Sequence, residues 1–297
     1  MAQFDGLRPA RLKVGIVSAG RVGTALGVAL ERAEHVVVAC SAISEESRHR
    51  AARRLPETVI RPVPDVAADA ELLVLAVPDT ELAGIVSGLA ATGAVRAGTI
   101  VAHTSGSAGV AVLAPLTARD CLPLAIHPAM TFTGSDDDIE RLSQSCFGIT
   151  AIDEIGYAIG EALTLEMGAR PFRVDEHCRT LYHAALCHGG NHMVTLIDDA
   201  LTALRAALPG GLGAEDPDGL AERVLRPLVC AAVDNALRDG RGALTGPVAR
   251  GDAATVASHL QALAAVDPDV AEAYRSNALR TAHRAAVAAD VLTVLAR

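Results

Sequence analysis

The sequence has no tryptophan, three tyrosines, four phenylalanines and a single lysine, Lys13, in 297 residues. An interior so poor in rings must be built from Ala, Val, Leu and Ile. Half of the residues are apolar, enough for a sizeable core, and the length suits two domains. With one lysine, at the start of the chain, almost every candidate catalytic position is barred to an ammonium group.

No run approaches the roughly 20 apolar residues that cross a bilayer, and Met1 to Lys13 lacks the apolar centre of a signal peptide. A soluble, cytoplasmic protein with no membrane partner is expected. The net charge is −9, and no stretch clusters arginine with interleaved aromatics. Nucleic acid is therefore not an expected partner. The six cysteines, Cys40, Cys121, Cys146, Cys178, Cys187 and Cys230, form no Cys-x-x-Cys pair. They read as small buried hydrophobes rather than disulfides.

What is present is a regular alternation. Apolar, β-branched runs at 12–17, 36–41, 72–77, 99–104, 122–126, 147–152 and 172–174 are separated by helix-like stretches such as 24–33 and 48–55. Runs of that kind predict a parallel sheet covered on both faces. After Val174 no strand pattern appears. Asp175 is placed to cap a long helix from Glu176 to Leu208, broken by Pro209 and the glycines at 210, 211 and 213. Further helices are expected over 221–237, 253–265 and 270–295. The predicted fold is α/β: a Rossmann-type domain over 1–174, then an all-helical domain for substrate and dimerisation over 175–297.

The first turn carries the chemistry. Lys13 to Gly27 reads KVGIVSAGRVGTALG, a strand running into a glycine turn and a helix, which is the context of a dinucleotide fingerprint. Ser18, Gly20 and Gly23 fill the three glycine positions, with Ala19, Arg21 and Val22 between them. Gly20 admits the pyrophosphate and Gly23 lets helix and strand pack closely. The helix N-terminus offers free N–H groups to phosphate. Serine at the first position is expected to keep a negative φ. The second strand ends without the Asp or Glu that binds an NAD ribose. Ser41, Ser44 and Arg48 stand there instead, and with Arg21 they suit a 2′-phosphate, so NADP is favoured with NAD possible. The alternative for Arg48 is a solvated helix residue.

Ligands in such sheets bind beyond the carboxyl ends of strands. Val77 and Pro78 there would wall the cofactor, and Thr104 would border it. Ser105 and His127 sit where substrate meets nicotinamide, with Met130 and Thr131 following. His127 is the leading proton-transfer candidate because histidine titrates near neutral pH; a structural histidine is the alternative. On the long helix His183, Cys187 and Asn191 share one line, and His188 and His192 another; His183 is the reserve proton-transfer candidate, and Asn191 with Ser105 would orient substrate. Gly189 and Gly190 inside a helix suggest the close approach of a ligand or backbone. The two histidines lack the Glu of a zinc-protease motif and further ligands, so no metal is expected. Arg250 could hold a substrate carboxylate in a two-pronged contact, or lie in a turn where Asp252 caps the next helix.

The glycine loop, Pro123 to Gly134 (PLAIHPAMTFTG), Tyr182-His183-Ala-Ala and Leu244 to Asp252 (LTGPVARGD) together resemble Rossmann-like proteins whose helical half is domain of unknown function 2520. More distantly the layout is similar to the 6-phosphogluconate dehydrogenase superfamily, including ketopantoate reductases, pyrroline-5-carboxylate reductases and prephenate dehydrogenases. That resemblance implies a helical domain that dimerises and closes one side of the active site. It matches Asn191 to a family asparagine, whereas the family lysine has no counterpart. His127-Pro128 with Ser105 resembles the prephenate dehydrogenase arrangement. The expected function is an NADP-dependent oxidoreductase of a small carboxylated keto, hydroxy or imino compound, working as a homodimer. The alternatives are a non-catalytic dinucleotide sensor and, third, a metal-dependent enzyme using the helix histidines.

Overall fold

A computed structural model describes residues 11–208, 219–286 and 289–296. The chain divides into two compact units, Met1–Gly190 and Asn191–Arg297.

In the first unit, β1 (Lys13–Val17), β2 (Val36–Cys40), β3 (Val59–Ile60), β4 (Leu72–Leu75), β5 (Ile100–His103), β6 (Leu122–Pro128), β7 (Cys146–Ala151) and β8 (Arg170–Arg173) form one sheet in the order 3-2-1-4-5-6-7-8. Its helices are α1 (Arg21–Arg32), α2 (Glu45–Arg54), α3 (Val63–Ala68), α4 (Asp79–Thr92), α5 (Ala114–Thr117), α6 (Asp137–Leu142), α7 (Glu154–Glu166) and α8 (Arg179–Gly189). The strand order reverses between β1 and β4, creating the crevice in which such sheets bind ligands. Alternate residues of one strand feed opposite cores: Leu72 and Val74 pack on one face, Leu73 and Leu75 on the other. With both faces covered, the strands read as continuous apolar runs.

The sheet departs from the expected all-parallel form at one place. β7 runs antiparallel to β6, pairing His127 with Gly148 and Pro128 with Phe147. The connection between them returns at the same end of the sheet instead of crossing over it. The buried Asp138 carboxylate shapes that return by accepting from Thr133 N (3.1 Å), Gly134 N (2.7 Å) and the Thr133 hydroxyl (3.1 Å). These bonds hold its carboxyl below the ordinary range despite burial.

The strands end at Arg173, and α8 still belongs to the first unit. The single helix expected over 176–208 is three pieces: a 3₁₀ turn at Glu176–Cys178, α8, and α9 (Asn191–Ala207). Asp175 heads the 3₁₀ turn without a side-chain cap bond. Gly189 ends α8 and Gly190 caps it, so the two glycines mark a break rather than an approach within a helix. Pro209 and glycines 210, 211 and 213 lie outside the described residues.

The second unit adds α10 (Leu220–Asp239), α11 (Gly246–Arg250), α12 (Ala253–Val266), α13 (Pro268–Ala285) and α14 (Ala289–Leu295). The helix expected over 270–295 is two, α13 ending at Ala286 in the left-handed conformation. Its core is Val248, Val256, Leu260, Ala278, Ala282, Val291 and Leu295. Among the described residues no helix is long and apolar enough to cross a membrane.

Candidate active site

The β1–α1 turn takes the shape of a phosphate cradle. Ser18 adopts φ +75°, against the negative φ expected of a serine. The left-handed region is uncommon for a residue with a Cβ, and its cost is of the order of 1–3 kcal/mol. Three bonds to one residue of β2's end offset it: Ser18 N–H donates to Ser41 Oγ (2.8 Å), Ala19 N–H to Ser41 O (2.7 Å), and Ser41 N–H to Ile16 O (2.8 Å). The serine thus keeps the turn that glycine makes in the fingerprint. Gly23 is obligatory, since a Cβ there would lie 2.2 Å from the Ser18 carbonyl oxygen. Gly20 is the N-cap of α1 and has no side-chain cap bond, and a Cβ there would meet Ser18 Oγ at 3.5 Å, an ordinary contact. No acidic residue occupies the first turn of α1, whose leading N–H groups lack intrahelical acceptors. These features fit a dinucleotide pyrophosphate. Arg21 is exposed at the head of α1, and Val22 packs half-buried on the core.

Beyond β2 the expected triad separates. Ser41 is buried beneath the glycine loop and its oxygen already accepts from Ser18, which corrects its expected place against a 2′-phosphate. Ser44 is exposed and caps α2, accepting from Ser47 N–H at 3.1 Å while its own hydroxyl proton stays available. Arg48 is exposed, its Nε donating weakly to Ala42 O (3.4 Å).

At the end of β4, Val77 packs half-buried on the core and Pro78 caps α4. At the end of β5, His103 is fully buried: Nε2 bonds Gly109 O at 3.0 Å and Nδ1 accepts from Ser105 N–H at 3.2 Å. The ring is therefore a neutral Nε2–H tautomer, and burial pushes its pKa down to about 4. Thr104 donates its N–H to Leu75 O (3.2 Å). Ser105 is buried, its hydroxyl oxygen accepting from Ala108 N–H at 3.0 Å. It shapes the loop that places Ser107, whose hydroxyl donates to Asp79 Oδ2 at 2.6 Å.

At the end of β6, His127 meets α8. Nδ1 lies 2.8 Å from the Tyr182 hydroxyl. The ring stands edge-on to both Tyr182 and His183, with centroids at 5.5 and 5.9 Å. His183 Nε2 in turn is 3.5 Å from Cys187 Sγ. Gly106 closes the cluster from the β5 side: a Cβ there would sit 2.5 Å from His183 Cδ2 and 2.9 Å from His127 Nε2. The expectation that His127 titrates near neutrality is corrected. Burial, then the Arg179 and His183 charges, lower its pKa to about 4. Burial raises that of Tyr182 to about 12. At neutral pH the pair is imidazole and phenol, joined by one hydrogen bond.

Two residues of this cluster escape sequence reading. Tyr182 was visible only within a motif. Arg179 is wholly buried, with Nε donating to Thr150 Oγ1 (2.8 Å) and Nη2 to Ala125 O (2.9 Å) and Gly148 O (3.0 Å). Its guanidinium ties α8 to β6 and β7, and lies 5.8 Å from the Tyr182 ring. A lone arginine directly after a cysteine gives no sequence cue of such burial.

Met130 is half-buried and packs with Phe132 against the core, and Thr131 is exposed. Asn191 opens α9 and Arg250 ends α11, both in the second unit, and both are exposed. Asp252 caps α12 by accepting from Thr255 N–H (3.0 Å) and its hydroxyl (2.7 Å). The line expected to join His183, Cys187 and Asn191 is interrupted at Gly190, as is that of His188 and His192.

With this geometry in hand, the chain matches the Rossmann-like domain family over residues 1–128 and a domain of unknown function, DUF2520, over residues 145–281. The chain is a Rossmann-like protein with a DUF2520 domain. A search of curated proteins returns no match. A provisionally named NADP oxidoreductase from Bacteroides fragilis is similar in fold, with TM-score 0.75 and 21% identity over 92% of this chain and 98% of its own. An imine reductase from a Pseudomonas species gives 0.60 and 16% over 97% and 100%. Pyrroline carboxylate reductase from Plasmodium falciparum, solved with NADP bound, gives 0.57 and 10% over 94% and 100%. These likenesses concern the fold.

Proposed function

We propose that this Rossmann-like DUF2520 protein is an NADP-dependent oxidoreductase of a small, carboxylated keto, hydroxy or imino compound. The observation that carries the reading is the β1–α1 turn, where Ser18 holds a glycine-like φ and Gly23 admits no Cβ. Such a turn, at the point where strand order reverses, is built to seat a pyrophosphate on α1. The oxidoreductase neighbours of similar fold support the same reading.

The nicotinamide cofactor would supply or take the hydride. The residues Ser18, Ala19, Gly20, Arg21, Val22 and Gly23 would hold its phosphates, with Ser44 and Arg48 nearest a 2′-phosphate. His127 and Tyr182 are the groups for the accompanying proton. A phenol that donates to Nδ1 leaves the imidazole proton on Nε2, at the edge beside Gly106, where it can be donated to a substrate heteroatom. The opposite orientation of the same bond leaves Nε2 an acceptor, as oxidation requires. Donation from Nε2 is balanced as the phenol proton passes to Nδ1 and is replaced from solvent. In the oxidising direction the proton accepted on Nε2 makes a transient imidazolium, a form that burial disfavours with a pKa of about 4, which then loses a proton to solvent.

We also propose a homodimer through the second unit. Along α9 and α10 only Ala221 is buried. Leu228 is 67% exposed and Leu237 84%, and an apolar cavity of about 540 Å³ lies between α9, α10, α12 and α13. A second copy would cover these faces. The test of the activity is a thermal-stabilisation screen of keto, hydroxy and imino acids with NADPH present, followed by turnover assays of the hits. A protein that binds NADPH yet turns over none of these classes would instead be a dinucleotide sensor.

A further inference from the structure

Between β8 and α8, three metal-ligating side chains crowd one turn. The Asp175 carboxylate, the His177 imidazole and the Cys178 thiol each offer a donor atom, and these atoms all lie within 4.8 Å of one another. The turn that carries them is pinned at the intervening residues. Val174 is buried, its N–H on Ile149 O (2.8 Å) and its carbonyl accepting from the Thr150 hydroxyl. The Glu176 carboxylate accepts from Val110 N–H (2.8 Å) and Ala111 N–H (3.1 Å). Arg179 is locked by its three buried bonds. Cys178 N–H closes the turn on Asp175 O at 2.9 Å.

The division of labour is regular. Residues 174, 176 and 179 are spent on the fold. Among the described residues, the side chains of Asp175, His177 and Cys178 make no hydrogen bond or salt bridge, while the backbone beneath them is fixed. Asp175 and His177 are exposed and Cys178 is half-buried. A fixed backbone lowers the entropy that a ligand must overcome to order the donors.

We propose that Asp175, His177 and Cys178 bind a borderline-soft divalent cation of the Zn²⁺ class. Thiolate, imidazole and carboxylate are the three zinc ligand types, and bonds of about 2.0–2.3 Å hold tetrahedral ligands roughly 3.5 Å apart. Small rotamer changes bring the present donors to that spacing. Calcium and magnesium, which take oxygen ligands, are poorly served by a thiol. The fourth position is left to water or another ligand. Binding converts the Cys178 thiol to a metal thiolate and releases one proton, so affinity rises with pH. The turn leads into α8, its last residue four positions before Tyr182 and five before His183, so the ion would brace the start of the helix that carries them. The proposal stands apart from the dinucleotide reading.

The test is titration of the metal-free, full-length protein with Co²⁺, read by the thiolate-to-cobalt charge-transfer absorption. One Co²⁺ per chain is expected, displaced by Zn²⁺. Cys178→Ser should lose the band, His177→Gln and Asp175→Asn should weaken binding roughly tenfold or more, and Cys187→Ser should keep it. No charge-transfer band in the wild type up to millimolar Co²⁺ overturns the proposal. So does a band that survives Cys178→Ser or disappears in Cys187→Ser.

Discussion

Tyr182 and His127, 55 residues apart in sequence, share one 2.8 Å hydrogen bond between the phenol and Nδ1. Because burial lowers the pKa of one to about 4 and raises that of the other to about 12, the pair stays neutral across the physiological range. His127→Ala is expected to slow turnover by about 10²- to 10⁴-fold, the scale of a general acid–base group, with NADPH affinity unchanged. Tyr182→Phe should slow it less, since the imidazole remains. Near-normal turnover in His127→Ala moves the role to His183.

Acid should destabilise the first unit in a defined window. His103 and His127 have folded pKa values of about 4 against an ordinary 6.5. Between those values the unfolded chain binds more protons than the folded one, so stability falls as pH drops from 6.5 towards 4. Above 6.5 neither residue contributes a slope. Urea midpoints across pH 4 to 8 measure this, and His103→Gln should flatten part of the slope. An unchanged midpoint from pH 7 to 4.5 contradicts it.

Gly106 has no room for a methyl group between the two imidazoles. Gly106→Ala should cost about 1–3 kcal/mol, the usual scale of overpacking, and should move the NMR resonances of both His127 and His183. A shift confined to one ring would mean that the loop, not the histidine pair, gives way.

How far the sequence reveals this molecule depends on the range of the interactions involved. The continuous apolar strands, the glycine turn and the helical second half follow from local pattern, as at Leu72–Leu75 and Arg21–Arg32. The two-residue β3 and the antiparallel β7 depend on neighbours in the sheet and leave no local mark. Ser18 looked like a departure from the fingerprint because the bonds from Ser41 that sustain its φ come from another strand. The Tyr182 contact and the burial of Arg179 are equally long-range. Gly189-Gly190 was legible as unusual, but a break and a ligand approach share the same residue signature.

The second unit should self-associate. Light scattering at micromolar concentration is expected to give twice the chain mass, and Leu228→Glu, placing a charge on an exposed apolar face of α10, should yield monomers with the first unit still folded. A wild-type monomer mass rejects the dimer.

The central claim, a dinucleotide seated on the Ser18–Gly23 turn, is tested most directly by calorimetric titration of the wild type and Gly23→Ala with NADPH and NADH. The account predicts one saturable NADPH site per chain, tighter than NADH because Ser44 and Arg48 replace an acid at the ribose. It also predicts loss of that site in Gly23→Ala, where the new Cβ meets the Ser18 carbonyl. No heat of binding from either nucleotide to the folded wild type, or undiminished affinity in Gly23→Ala, contradicts it.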